Sequence, residues 1–138
     1  MFSSILAPTD FTVKSKPALE IATNLAKIFG AKLTFIHVIE TIEGATIEEF
    51  SDFYQKLYKK SERELEKLVK KYGDEVEIQR AIVYGKRAIE IVKYAQLNMV
   101  DLIVMASHKL DLSDKEPQFG TISYKVGLMA SCPILLVK

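Results

Sequence analysis

Residues 33–39 read LTFIHVI, a run of aliphatic, aromatic and β-branched side chains with one histidine inside it. A half-buried strand alternates apolar and polar residues, so a run this continuous predicts a strand over Lys32–Ile39 covered on both faces, in the middle of a sheet. DLIVMA at Asp101–Ala106 has the same character. Shorter apolar runs at Ile5–Pro8 and Pro133–Val137 predict a first and a last strand, and EVEIQRAIVY at Glu75–Tyr84 alternates at its start, as a strand nearer an edge does.

Between these runs the period changes from two to 3.6. Ala18, Ile21, Ala22, Leu25 and Phe29 repeat at helical spacing, with Ser15 as the expected cap, Pro17 in the first turn and Gly30 as terminator. Ile47, Phe50, Tyr54, Leu57, Ser61, Leu65, Leu68 and Tyr72 form the stripe of a long amphipathic helix closed by Gly73, and its Tyr and Phe residues are expected in the core. Lys86–Asn98 is a third helix with Ala88, Ile89, Val92 and Ala95 inward, and a fourth runs from Gly120 and Thr121 to Ala130. Strands alternating with helices in this way predict an α/β fold: a five-stranded parallel doubly wound sheet with four helices on its two faces, in a single domain over residues 1–138. We take the common strand order 3-2-1-4-5, which puts the ligand crevice between strands one and four, outside their carboxyl ends.

Nineteen basic residues against eighteen acidic ones give a formal net charge of +1. A nucleic-acid module needs a basic face that outweighs its acids, so DNA and RNA are not expected partners. No stretch approaches the roughly 20 apolar residues of a membrane span. MFSSILAPTDF has no basic n-region, so neither a leader nor an anchor is expected and the cytoplasm is the expected compartment. Cys132 is the single cysteine, which excludes a disulfide framework, and it is expected to pack rather than react.

Two loops flank the expected crevice. Ala7–Phe11 offers Pro8, Thr9 and Asp10: a stiff turn, a hydroxyl and a carboxylate that can accept hydrogen bonds from a ribose or an amino group. The same residue types also satisfy a turn's own backbone. Ser107–Phe119 leads to Gly120 and Thr121 at a helix start, where free N–H groups and a hydroxyl can hold a phosphate; a threonine there is equally an ordinary N-cap. His108 could face Asp10 as an acid/base pair, although a polar loop residue needs no such role, and His37 is expected to be a hydrogen-bonded core histidine. No Walker loop, HExxH, CxxC pair or G-x-S-x-G elbow is present, and no catalytic residue or metal ligand is expected.

PTDF after strand one, LTFIHVI, VDLIVMASHK and the ending GTISYKVGLMASCPILLVK together resemble the universal stress protein family over essentially the whole chain. The resemblance implies an adenine nucleotide alpha hydrolase-like fold and a pocket for ATP, ADP or AMP, with Mg²⁺ where a polyphosphate is bound. Residue by residue, it implies that Pro8, Thr9 and Asp10 contact the adenosine moiety, that Val38 and Met105 line the base pocket, and that Gly120 and Thr121, with Ile122 behind them, hold phosphate. The family pattern after strand four is Met-Gly-Ser/Thr-His-Gly, some nine residues, then Gly-Ser/Thr. Here Ala106 and Lys109 stand where its first two glycines would be, and the interval from Lys109 to Gly120 is one residue longer. A β-carbon at Ala106 and a long side chain at Lys109 obstruct close backbone approach, whereas Lys109 can also supply charge to a phosphate. Asp111, Asp114 and Glu116 add carboxylates to that loop and Pro117 stiffens it. The pocket is therefore expected to be degenerate.

The last strand is almost wholly apolar and would need covering if it lies at a sheet edge. The resemblance implies a homodimer through Ile134, Leu135, Leu136 and Val137, acting on client proteins in a stress response, with an ATP- or AMP-binding switch or slow ATPase as the alternative. A response-regulator receiver shares the strand and helix count, but Pro8, Thr9 and Asp10 replace its acidic cluster, and the lysine at the end of strand five is only Lys138.

Overall fold

The computed structural model describes residues 1–107 and 121–138. Strands β1 (Ser4–Pro8), β2 (Lys32–Glu40), β3 (Ile78–Gly85), β4 (Leu102–Ala106) and β5 (Ile134–Val137) alternate with helices α1 (Lys16–Phe29), α2 (Ser51–Tyr72), α3 (Arg87–Leu97) and α4 (Ile122–Met129). The strands form one parallel sheet in the order β3-β2-β1-β4-β5, as expected.

The near-continuous apolar strands are explained by the pleat. Successive side chains point to opposite faces, and here both faces are covered. Ile5, Ala7, Leu33, Phe35, Leu102 and Val104 pack under Ala18, Leu19, Ala22 and Ala26 of α1 and Leu65 of α2. Leu6, Ile36, Val38, Ile103 and Met105 pack under Ala88, Ile91, Val92 and Ala95 of α3 and Val126 of α4. At the amino end of the sheet the Asp101 carboxylate accepts the N–H groups of Ser3 (2.8 Å) and Ser4 (3.0 Å), and its own N–H donates to the Ser4 carbonyl at 2.9 Å. That pins β1 to β4 across almost the whole chain.

Gly30 ends α1 in the left-handed region at φ 63, as its position predicts. Several sequence expectations need correction. Ser15 precedes α1 but makes no side-chain cap bond, because its hydroxyl donates to the Thr12 carbonyl at 2.8 Å. The long helix begins only at Ser51, after a 3-10 turn at Glu48–Phe50, so Ile47 and Phe50 lie ahead of it and are exposed. Phe53, one position before the buried Tyr54, also faces out, so its ring is not in the core. In α3 the inward phase is Ala88, Ile91, Val92 and Ala95, a strict i, i+3, i+4, i+7 set, and Ile89 falls off it and is exposed. The third strand starts at Ile78 rather than Glu75 and the fifth at Ile134 rather than Pro133. Among the described residues no helix is long and apolar enough to cross a membrane.

Candidate functional site

β1 and β4 are neighbours whose outgoing connections leave toward opposite faces, β1 to α1 and β4 to α4. Among the described residues no helix covers the gap between their carboxyl ends, and there a cleft of about 950 Å³ opens. That is within the range of small-molecule sites. Pro8, Thr9, Asp10, Val38, Met105, Ala106, Thr121 and Ile122, all picked out from the sequence, line it together. Lys109, Gly120 and His108, with Asp111, Asp114, Glu116 and Pro117, lie outside the described residues.

The β1 lip is a continuation of the sheet. The Thr9 N–H donates to the Ile36 carbonyl at 2.9 Å, and the Thr9 carbonyl receives the Nδ1 proton of His37 at 2.8 Å. A carbonyl only accepts, so this bond fixes the His37 tautomer with the proton on Nδ1. Burial holds the imidazole below its ordinary value of 6.5; the Thr9 carbonyl and Asp10 oppose that shift and Arg87 adds to it. The Thr9 hydroxyl is buried against Ser15 (3.1 Å) and accepts the Phe11 N–H at 3.0 Å. Since Ser15 gives its proton to Thr12, Thr9 is the donor in that hydroxyl pair. Phe11 sits at φ 67, a conformation costly for a bulky residue, held by this bond and by its ring lying 4.2 Å from His37.

Asp10 forms an Asx turn: Oδ1 accepts both the Thr12 N–H (3.0 Å) and the Thr12 hydroxyl (2.6 Å). Burial alone would raise its carboxyl, but the Thr12 bonds and the Arg87 cation outweigh it and hold the group below 3.8. Asp10 is therefore a carboxylate at neutral pH, and its bonds to Thr12 use Oδ1. So Thr9 and Asp10 do serve their own turn, and Asp10 keeps an acceptor at the cleft.

The opposite lip carries hydroxyls. Ser107 and Ser123 approach to 3.2 Å, Thr121 and Ser123 to 3.3 Å, and Thr121 caps α4 by accepting the Tyr124 N–H at 3.3 Å. The Ser107 N–H donates to the Val137 carbonyl at 2.9 Å. Between the lips Ile36, Val38, Ile91, Met105 and Ile122 form an apolar wall. Sequence reading missed Ile36, Ile91, Ser107, Ser123 and the cations Lys14, Arg87 and Lys138, which also line the cleft. Ile36 was legible in LTFIHVI as a core residue; nothing local marks Arg87, whose position depends on how β3 turns into α3.

The universal stress protein family model matches residues 1–138. The chain belongs to the universal stress protein family. Among its relatives, Universal stress protein MJ0531 of Methanocaldococcus jannaschii is 33% identical over 143 residues, covering 100% of this chain and 83% of that protein. Universal stress protein YxiE of Bacillus subtilis is 31% identical, with 100% of both covered. The solved structure of MJ0577, also from M. jannaschii, has a TM-score of 0.84 at 31% identity, covering 100% of this chain and 96% of that one. Two more distant universal stress proteins share the fold and were solved with ligands. One is a complex with cAMP (TM-score 0.71, 18% identity, 99% and 96% covered), the other an Archaeoglobus fulgidus protein with dAMP (TM-score 0.61, 17% identity, 100% and 98% covered). The cleft of this family member joins an apolar wall, a carboxylate and a hydroxyl cluster.

Proposed function

We propose that this universal stress protein binds a purine nucleoside monophosphate in the cleft between β1 and β4 and acts as a regulator or scaffold, a homodimer through β5 that works on other proteins. The observation that carries the reading is the polarity of the cleft, apolar at Val38, Ile91 and Met105, anionic at Asp10, and hydroxylic at Ser107, Thr121 and Ser123. In that reading the base lies on the apolar wall, Asp10 Oδ2 accepts from the ribose, and the Thr121 lip receives the phosphate at the start of α4. The ligands of the cAMP and dAMP complexes are monophosphates. Ala106 in place of glycine puts a β-carbon at the lip, and the Ser107 N–H is engaged by Val137, so this stretch offers less backbone to a polyphosphate than a glycine-rich loop does. The pocket is then degenerate for triphosphates rather than lost.

Isothermal titration with AMP, ADP and ATP, each with and without Mg²⁺, tests this. The expected result is micromolar AMP binding that further phosphates and Mg²⁺ strengthen by less than about tenfold, and that Asp10→Asn and Thr121→Ala each weaken. ATP binding a hundredfold tighter and dependent on Mg²⁺ would replace the reading with a triphosphate switch. Silence to millimolar nucleotide would leave only the scaffold. Restoring glycine at Ala106 and Lys109 together should raise ATP affinity over the parent.

A further inference from the structure

The segment that joins β2 to α2 is charged unlike the rest of the chain. Residues 40–55 hold five carboxylates, at Glu40, Glu43, Glu48, Glu49 and Asp52, and neither lysine nor arginine, so the other residues together carry a formal charge of +6. Glu40 faces Arg87 at 3.7 Å, whereas Glu43, Glu48, Glu49 and Asp52 form no ion pair among the described residues. In the same segment Ile42, Ile47, Phe50 and Phe53 are each two-fifths to one-half exposed. Local geometry sets three of them in a row. Glu48–Phe50 is a 3-10 turn, in which residues three apart eclipse, so Ile47 and Phe50 lie one above the other and Phe53 follows in the first turn of α2. Glu49 and Asp52 repeat alongside at the same interval. Tyr54 is the buried root of this ridge: its hydroxyl accepts the Ile42 N–H at 2.8 Å, and its ring meets Phe53 at 5.4 Å and Tyr84 of β3 at 6.0 Å. Carboxylates at the start of a helix also suit its dipole, but that accounts for the charges and not for the apolar row beside them.

We propose that this acidic, apolar ridge is a docking surface for a basic amphipathic helix of another protein. The aliphatic side chains of that helix cover Ile47, Phe50 and Phe53, and its lysines or arginines face Glu48, Glu49 and Asp52. An amphipathic helix presents such a stripe with cations beside it, and carboxylates at the rim favour a basic partner and repel an acidic one. The inference rests on the part of the reading above in which the protein works on other proteins, and it gives that partner a chemistry. β3 and β5 are opposite edges of the sheet, and the ridge lies on the side of β2 and β3. It therefore stays open when two chains meet through β5, and a dimer offers it twice.

Fluorescence anisotropy with a labelled amphipathic helix of about 18 leucines and lysines tests the surface. The controls are a scrambled peptide of the same composition and a Leu–Glu counterpart. The Leu–Lys helix should bind with micromolar Kd, at least about tenfold tighter than either control. Phe50→Ser with Phe53→Ser, and separately Glu48→Gln with Glu49→Gln and Asp52→Asn, should each weaken it about tenfold or more. Ile28→Ser, which removes an exposed apolar side chain from α1, should change nothing. Melting curves check that each variant folds. Equal binding of the scrambled peptide, or an affinity that the phenylalanine variant leaves intact, means that charge alone attracts the probe and overturns the docking surface. Absence of binding at millimolar peptide overturns it as well. A light-scattering mass that falls when the two phenylalanines are replaced assigns the ridge to a second copy of this chain instead. None of these outcomes touches the nucleotide site or the β5 dimer, which AMP titration and the mass of the parent test separately.

Discussion

The Nδ1 proton of His37 is donated to the Thr9 carbonyl at 2.8 Å, so a side chain on β2 holds the backbone of the loop that leaves β1. The loop is bound to β2 on both sides of Thr9, through its N–H to Ile36 and through its carbonyl to His37. The β1 lip is therefore built before any ligand arrives, and ordering it adds no entropic cost to binding.

Burial of the same ring gives the fold a defined pH response. His37 titrates below 6.5 in the folded state because burial disfavours the cation. Below pH 6.5 the unfolded chain takes up the proton first, so the stabilisation is complete above that value and is lost as the pH falls through the folded value. Melting temperatures measured from pH 8 downward should be level and then decline below about 6.5. His37→Gln should remove that step while leaving a second decline, below 3.8, where protonating Asp10 undoes its bonds to Thr12.

The buried hydroxyl pair is the next test. Thr9→Val keeps the shape and deletes the hydroxyl, leaving the Phe11 N–H without its acceptor in a left-handed turn. The expected loss is about 1–3 kcal/mol in urea denaturation, with Thr9→Ser recovering most of it. A change below about 0.5 kcal/mol would mean that the strained Phe11 turn is held by the His37 ring alone.

Gly85 ends β3 at φ 143, and a β-carbon there would lie 2.7 Å from Cγ and Oε1 of Glu90. Gly85→Ala should destabilise the protein by about 1–3 kcal/mol. Adding Glu90→Ala relieves the clash but not the backbone strain, so thermal melting of the double variant should show only partial recovery.

Among the described residues β5 bonds to β4 alone and lies at an edge of the sheet, with Leu135 and Leu136 each about two-fifths exposed on opposite faces. If the dimer forms there, light scattering at micromolar concentration should give twice the 15.6 kDa of one chain, and Leu136→Asp should return it to one. A parent mass of one chain would remove the dimer from the proposal.

The fold was legible because its signals are local. LTFIHVI and DLIVMA could only be strands covered on both faces, and Gly30 could only be a terminator. Errors arose where apolar identity competed with helical phase. Ile89 is apolar but off the inward stripe, while Ile91 fits it; Phe50 and Phe53 were grouped with Tyr54 although the helix starts between Phe50 and Tyr54 and only Tyr54 turns inward. At the site, Thr9 and Asp10 were visible because they follow a strand directly. Ser107 and Ser123 meet across the tertiary fold, and Arg87 is one charged residue among many until β3 aims it at the cleft. No spacing in the chain records such meetings.

Asp101 joins β4 to the start of β1 through bonds that span 97 and 98 positions of the chain. The two lips of the cleft are likewise supplied by distant parts of the polypeptide, so no fragment that lacks either one carries the complete cleft. A molecule that grips both lips has nothing comparable to hold in the unfolded chain. Its whole affinity therefore counts toward the lifetime of the protein, and cellular abundance of the chain would rise and fall with the concentration of whatever occupies the cleft.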